Sequence, residues 1–195
     1  MKVVSFLLLV ACVACQTAPS PSNNTDPTFG SDDDALLAKR ATRIFILRHA
    51  EKADHEAWNT ELKSPEGFER ARAWVSILSP KAPAALYVSN LQRTQQTLQP
   101  TSEALTLTPN IRPAVAASED RPSVEDTTAL AAEILADHRN ETVVVCWHTP
   151  YVIDLAVALG VPKADVPDWD HSTYDHLWTV TVRKNGRASL VDTAF

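Results

Sequence analysis

Arg43-Ile44-Phe45-Ile46-Leu47-Arg48-His49-Ala50-Glu51-Lys52 is the stretch that decides the fold. Ile44 to Leu47 form an unbroken apolar run. That is how a strand buried on both faces of a parallel sheet reads. Arg48 and His49 stand at its C-terminal end, where open α/β sheets bind their ligands. Two other runs end in the same manner. Val143-Val144-Val145-Cys146 leads to His148, and Leu86-Tyr87-Val88 leads into a polar helix start carrying Arg93. Three strand ends thus deliver two arginines and two histidines, which is equipment for holding and attacking a phosphoryl group.

Helical signals lie between these strands. Ser64-Pro65-Glu66 reads as an N-cap, a first-position proline and an acidic first turn. Phe68, Ala71, Val75 and Leu78 follow at helical spacing, and Pro80 ends the helix. Ser89 reads as the cap of the next helix, with Leu91, Leu98 and Leu105 as its buried stripe and Pro100 as a kink or a division. Ile111 to Ala116 is a weaker strand. Ser123 with Asp126 resembles a capping box, and Val124, Leu130, Ile134 and Leu135 line one face of a helix ending near Asn140. Thr149-Pro150 reads as a further cap, with Gly160 as the stop. His148 therefore stands at a helix N-terminus, where backbone N–H groups favour an anion. Trp178, Val180 and Val182 alternate with polar residues, and Asn185-Gly186 is a hairpin turn before Ala188 to Val191. This ribbon should close one edge of the sheet.

Arg48-His49-Ala50-Glu51-Lys52, Ser64-Pro65-Glu66-Gly67, Ser89 through Thr97 and His148 together resemble the histidine phosphatase superfamily, also called phosphoglycerate-mutase-like. Order and spacing match over roughly residues 42–194, on the pattern of small, lid-poor members such as SixA-like phosphohistidine phosphatases and envelope lipoproteins. The resemblance implies a three-layer α/β/α sandwich with a mostly parallel sheet and an antiparallel C-terminal hairpin. It implies that His49 is a nucleophile that becomes a phosphohistidine, and that Arg48, Arg93 and His148 form the phosphate pocket. The leaving-group acid of the family falls after the third strand, at Glu119 or Asp120, with Glu119 preferred. The chain departs from the pattern at Trp147, where the family usually has Gly, and at Thr149, where it usually has Ser or Asn. The implied activity is metal-independent hydrolysis of a phosphomonoester or phosphoramidate. A non-catalytic phosphate-binding envelope domain and a mutase are the alternatives. Lys52, His55 and Trp58, in the loop of residues 50–64, are candidate substrate contacts.

Composition sets the frame. The chain has 195 residues, 45% hydrophobic and 22% charged, with net charge −6. That balance gives no reason to expect nucleic acid or an anionic membrane surface as partner; the expected partner is a small phosphorylated substrate. No Asp/His cluster with metal-ligand spacing appears near the site, so no cofactor is expected. Residues 1–15 read as a signal peptide, with Lys2 as a minimal positive region and Val3 to Val10 as an apolar stretch too short to span a bilayer. Leu9-Val10-Ala11-Cys12 resembles a bacterial lipobox, with Cys15 as the second candidate for lipidation and an ordinary secretory signal as the alternative. Residues 16–40 read as a disordered linker, with a possible helical turn from Ala35 to Arg40. Residues 41–195 read as one domain. The expected location is the bacterial envelope, periplasmic or surface, with contact to the membrane only through the lipid anchor. Of three cysteines two lie in the leader, which excludes a disulfide framework.

Overall fold

The computed structural model describes residues 40–54, 59–112 and 123–195. The signal peptide, nearly all of the linker, His55, Trp58, Glu119 and Asp120 lie outside them. Among the described residues, six strands alternate with four α-helices: β1 (Thr42–Arg48), α1 (Glu66–Leu78), β2 (Ala85–Ser89), α2 (Gln92–Leu105), β3 (Asn110–Arg112), α3 (Val124–Asp137), β4 (Thr142–Trp147), α4 (Thr149–Ala158), β5 (His176–Val182) and β6 (Ala188–Ala194).

The strands form one sheet in the order β3-β2-β4-β1-β5-β6. β1, β2, β3 and β4 are parallel, and β5 and β6 form the antiparallel ribbon at one edge. The chain steps outward from β1 to β2 and β3, then returns to lay β4 between β2 and β1. That reversal makes the C-terminal ends of β1, β2 and β4 a topological switch point, where such sheets open a crevice. The unbroken apolar runs are explained by burial on both faces. Ile44 and Ile46 pack with Val143, Val145 and Trp147 under α3 and α4, while Phe45, Leu47, Val144 and Cys146 pack with Trp74, Leu78 and Leu98 of α1 and α2. The result is the three-layer sandwich that the sequence implies.

Several local readings need adjustment. Ser64 does not cap α1; Pro65 is the N-cap, and the first turn is closed by Gly67 N–H donating to the Lys63 carbonyl at 2.7 Å. Leu91, not Ser89, is the N-cap of α2, because the Ser89 hydroxyl is engaged with Thr94 and the Leu91 N–H. Pro100 sits inside α2 without dividing it. Ser123 and Asp126 do form the capping box of α3, but Val124 is exposed. His148 itself is the N-cap of α4, with Thr149 as its first residue. β3 spans three residues, and the remainder of the expected strand lies outside the described residues. The ribbon turns through Gly186 at φ 80°, and α4 stops at Gly160 at φ 97°, both in the left-handed region that favours glycine.

Candidate active site

β1 ends in Arg48, and His49 follows it; both side chains are buried. β4 runs parallel beside β1 with Arg48 opposite Trp147, so His148 emerges next to His49. β2 flanks β4 on its other side, and α2 brings Arg93 back over the same end of the sheet. The structure thus brings Arg48, His49, Arg93 and His148 to one end of the sheet and buries all four. Arg93, Arg48 and His148 all act electrostatically on His49, which places the four within one field.

His49 Nδ1 donates a hydrogen bond to the Ala50 carbonyl at 2.7 Å. A carbonyl can only accept, so this bond fixes the proton on Nδ1 and leaves Nε2 with its lone pair. Burial pushes the His49 imidazole well below its ordinary pKa, the Ala50 bond opposes this, and the charges of Arg93 and Arg48 lower it further. Burial holds His148 down to about 3, assisted by Arg93. Arg93 is pulled down to about 10, chiefly by burial. It remains a cation at neutral pH.

Loop residues that the sequence gives no role complete the surroundings of Arg48. Its Nη1 donates to the carbonyls of His171 and Thr173, and its Nη2 lies 3.4 Å from the Tyr174 hydroxyl. The guanidinium sits 4.0 Å from the Tyr174 ring centroid, a stacking contact. The same ring is 6.1 Å from that of His49. Pairing of Leu47 with Leu177 carries the chain before β5 past the end of β1. The aromatic character of the loop was the available signal, but no spacing connected it to β1.

The motif threonines hold α2 against the site. The Thr97 hydroxyl accepts the Ala50 N–H at 2.8 Å and donates to the Arg93 carbonyl at 2.7 Å. It thereby links the residue after His49 to Arg93. The Thr94 hydroxyl bonds Ser89 and the Leu91 carbonyl and closes the first turn of α2. Glu51 receives a three-bond fork from Arg70, at 2.7 to 3.0 Å. Lys52 bridges Leu62 and narrows the loop after β1 into a short ribbon. Gly67 explains its place in the motif: a Cβ there would lie 2.4 Å from the Glu51 carbonyl oxygen.

Trp147 does not occupy the site. Its indole is buried in the core under α3, and its Nε1 donates to Thr127 at 3.1 Å. A groove of about 500 Å³ runs along α2 from Asn90, lined by Gln92, Gln95 and Gln99 and, among the described residues, by no charged side chain. Among the described residues no cluster of His, Cys, Asp and Glu could hold a metal ion. Cys146 is buried, and burial raises its thiol pKa, so it is not a nucleophile.

Residues 44–116 match the model of the family described as the histidine phosphatase superfamily (branch 1). No curated protein matches the chain. Solved structures share the fold. The protein histidine phosphatase SixA, complexed with tungstate, is 21% identical, with a TM-score of 0.57 over 78% of this chain and 96% of its own. The mycobacterial glucosyl-3-phosphoglycerate phosphatase Rv2419c is 16% identical, with a TM-score of 0.59 over 78% of this chain and 97% of its own. Phosphoserine phosphatase from Entamoeba histolytica, in complex with 3-phosphoglyceric acid, is 15% identical, with a TM-score of 0.57 over 79% and 98%.

Proposed function

We propose that this chain, a member of the histidine phosphatase superfamily, is a phosphatase that hydrolyses a phosphomonoester or phosphoramidate through a phosphohistidine at His49. The observation that carries the reading is the His49 imidazole, buried, locked by Ala50 as the tautomer with a free Nε2, and kept neutral by burial and by the charges of Arg93 and Arg48. A neutral imidazole attacks phosphorus; an imidazolium cannot.

In the first step, Nε2 forms a bond to phosphorus as the bond to the leaving group breaks. Arg48 and Arg93 neutralise the equatorial oxygens, and the Thr149 N–H at the start of α4 adds a donor. Nη1 of Arg48 is held by loop carbonyls and Nη2 reaches the Tyr174 hydroxyl, which leaves Nε, buried and without a hydrogen-bond partner among the described residues, for a ligand. His148, neutral, donates a hydrogen bond to a phosphoryl oxygen. Glu119 or Asp120 gives the leaving group its proton. In the second step, water attacks the phosphohistidine, releasing inorganic phosphate and restoring His49. The two arginines bring the positive charge that a metal ion would otherwise supply, so the reaction is metal-independent. The amide side chains along the α2 groove would offer hydrogen bonds to the leaving group.

We also place the domain in the bacterial envelope, secreted and held by a lipid on Cys12 or Cys15. Mass spectrometry of the mature N-terminus tests that part, and an unmodified terminus beyond Cys15 contradicts it. The catalytic reading is tested by turnover of a phosphoester panel in excess chelator. Turnover that His49→Ala abolishes without unfolding the protein supports it. Tight phosphate binding with no turnover would instead favour the binding-domain alternative.

A further inference from the structure

A second cleft, of about 560 Å³, lies at the opposite end of the sheet from His49. Topology decides what lines it. Arg40 and Thr42 open β1, and Arg139 and Asn140 precede β4. β5 runs antiparallel to β1 and ends there, with Val182 paired to Thr42. Arg183 and Lys184 of the hairpin turn complete the wall. Arg40, Arg139, Arg183 and Lys184 are all exposed, and among the described residues that line the cleft there is no carboxylate. The acids adjacent in sequence are Asp137 and Glu141, and Glu141 is engaged by His138 at 2.8 Å. A chain of net charge −6 has thus gathered four cations into one cleft. The whole-chain balance does not report such segregation.

We propose that this cleft seats anionic phospholipid headgroups and docks the domain on a membrane, with the active site turned toward the aqueous phase. Guanidinium forks suit phosphodiesters, as they suit phosphomonoesters. Basic clusters beside a membrane anchor bind anionic leaflets. Arg40 is where residues 1–39, read as a lipidated leader and polar spacer, join the domain, so the cleft sits at the root of that tether. A lipid anchor and a basic patch reinforce one another as two membrane signals. That position favours a membrane over a nucleic acid as the occupant. The site residues are at the other end of the strands, so a soluble substrate would still reach them.

The test uses the full chain with Cys12→Ser and Cys15→Ser, so that no acyl group contributes. Co-sedimentation is measured with vesicles of phosphatidylcholine alone and with phosphatidylglycerol added. Binding should rise with the anionic fraction and fall with salt. Each Lys or Arg near an anionic surface is worth about a fivefold factor in partitioning. Arg139→Ser, Arg183→Ser and Lys184→Ser combined should therefore weaken binding by roughly 100-fold. Any apolar contribution of the leader is common to parent and variant and cancels. Should the triple variant fail to fold by circular dichroism, Lys184→Glu alone should weaken binding by more than about tenfold. Equal binding to neutral and anionic vesicles, or a folded triple variant that binds like its parent, would overturn the proposal. Binding to a single-stranded oligonucleotide, lost in the triple variant and unmatched on vesicles, would also overturn it.

Discussion

Thr97→Val separates the site from its support. Valine has nearly the shape of threonine, so the change removes a hydroxyl and little else. That hydroxyl is the acceptor of the Ala50 N–H, at 2.8 Å, in a fully buried position. Without it the N–H is left buried and unmade, at a cost of about 1–3 kcal/mol. For a domain of this size each kcal/mol moves Tm by about 2–4 °C, so the expected fall is roughly 2–12 °C. Activity should fall as well. Ala50 follows His49 and its carbonyl holds His49 Nδ1, while the same hydroxyl donates to the Arg93 carbonyl at 2.7 Å. Loosening that link lets His49 and Arg93 shift relative to one another, and a misplacement of about 1 Å can cost 10²-fold. The assay is urea unfolding together with kcat and KM on an aryl phosphate. The expected pattern is a loss mainly in kcat, restored by Thr97→Ser, which keeps the hydroxyl. A Thr97→Val protein with unchanged stability and kcat would refute the reasoning, because it would mean that the Ala50 N–H does not depend on this acceptor.

The other predictions concern pH, close packing and the leaving group. Burial depresses His148 to about 3, so between that value and the unfolded value near 6.5 the unfolded chain binds the extra proton and stability falls as pH falls. The total for this group is on the order of 5 kcal/mol, and denaturant midpoints measured from pH 7 to 4 should show a slope that His148→Gln reduces. The ring protons of His49 and His148 should show no titration by NMR between pH 7.5 and 6; a midpoint for His49 inside that range would contradict its depressed pKa. In Gly67→Ala the new Cβ meets the Glu51 carbonyl oxygen at 2.4 Å, so backbone must move. Overpacking of this kind costs about 1–3 kcal/mol, and a protein as stable as the parent would show that the contact is not fixed. Removing the leaving-group acid should slow alkyl phosphates by about 10² to 10⁴ and aryl phosphates much less. Glu119→Gln and Asp120→Asn, compared on both substrate types, identify the acid, and equal small losses would mean that neither serves.

Much of this was legible because the parallel sheet imposes a strong signal. Strands buried on both faces must be apolar throughout, so β1, β2 and β4 stood out, and the polar residues at their ends stood out by contrast. His148 followed from the same logic. Cap positions were harder to read. Ser64 and Ser89 have good capping chemistry, yet local hydrogen bonds, from Ser89 to Thr94 and across the turn at Lys63, claimed those positions. Tyr174 was invisible for a different reason: its approach to Arg48 depends on β5 pairing antiparallel to β1, which no local pattern specifies. The basic cleft was missed because its cations come from β1, the turn before β4 and the distant hairpin, and only the register unites them.

The most direct measurement is the chemical state of His49 during turnover. Wild-type protein incubated with a radiolabelled aryl phosphate and quenched in strong base should retain label in an acid-labile, base-stable linkage, and mass spectrometry should place the phosphoryl group on the peptide containing His49. His49→Ala, folded by circular dichroism, should carry no label and show no turnover. Turnover surviving in His49→Ala, or label trapped on a different residue, would contradict the account.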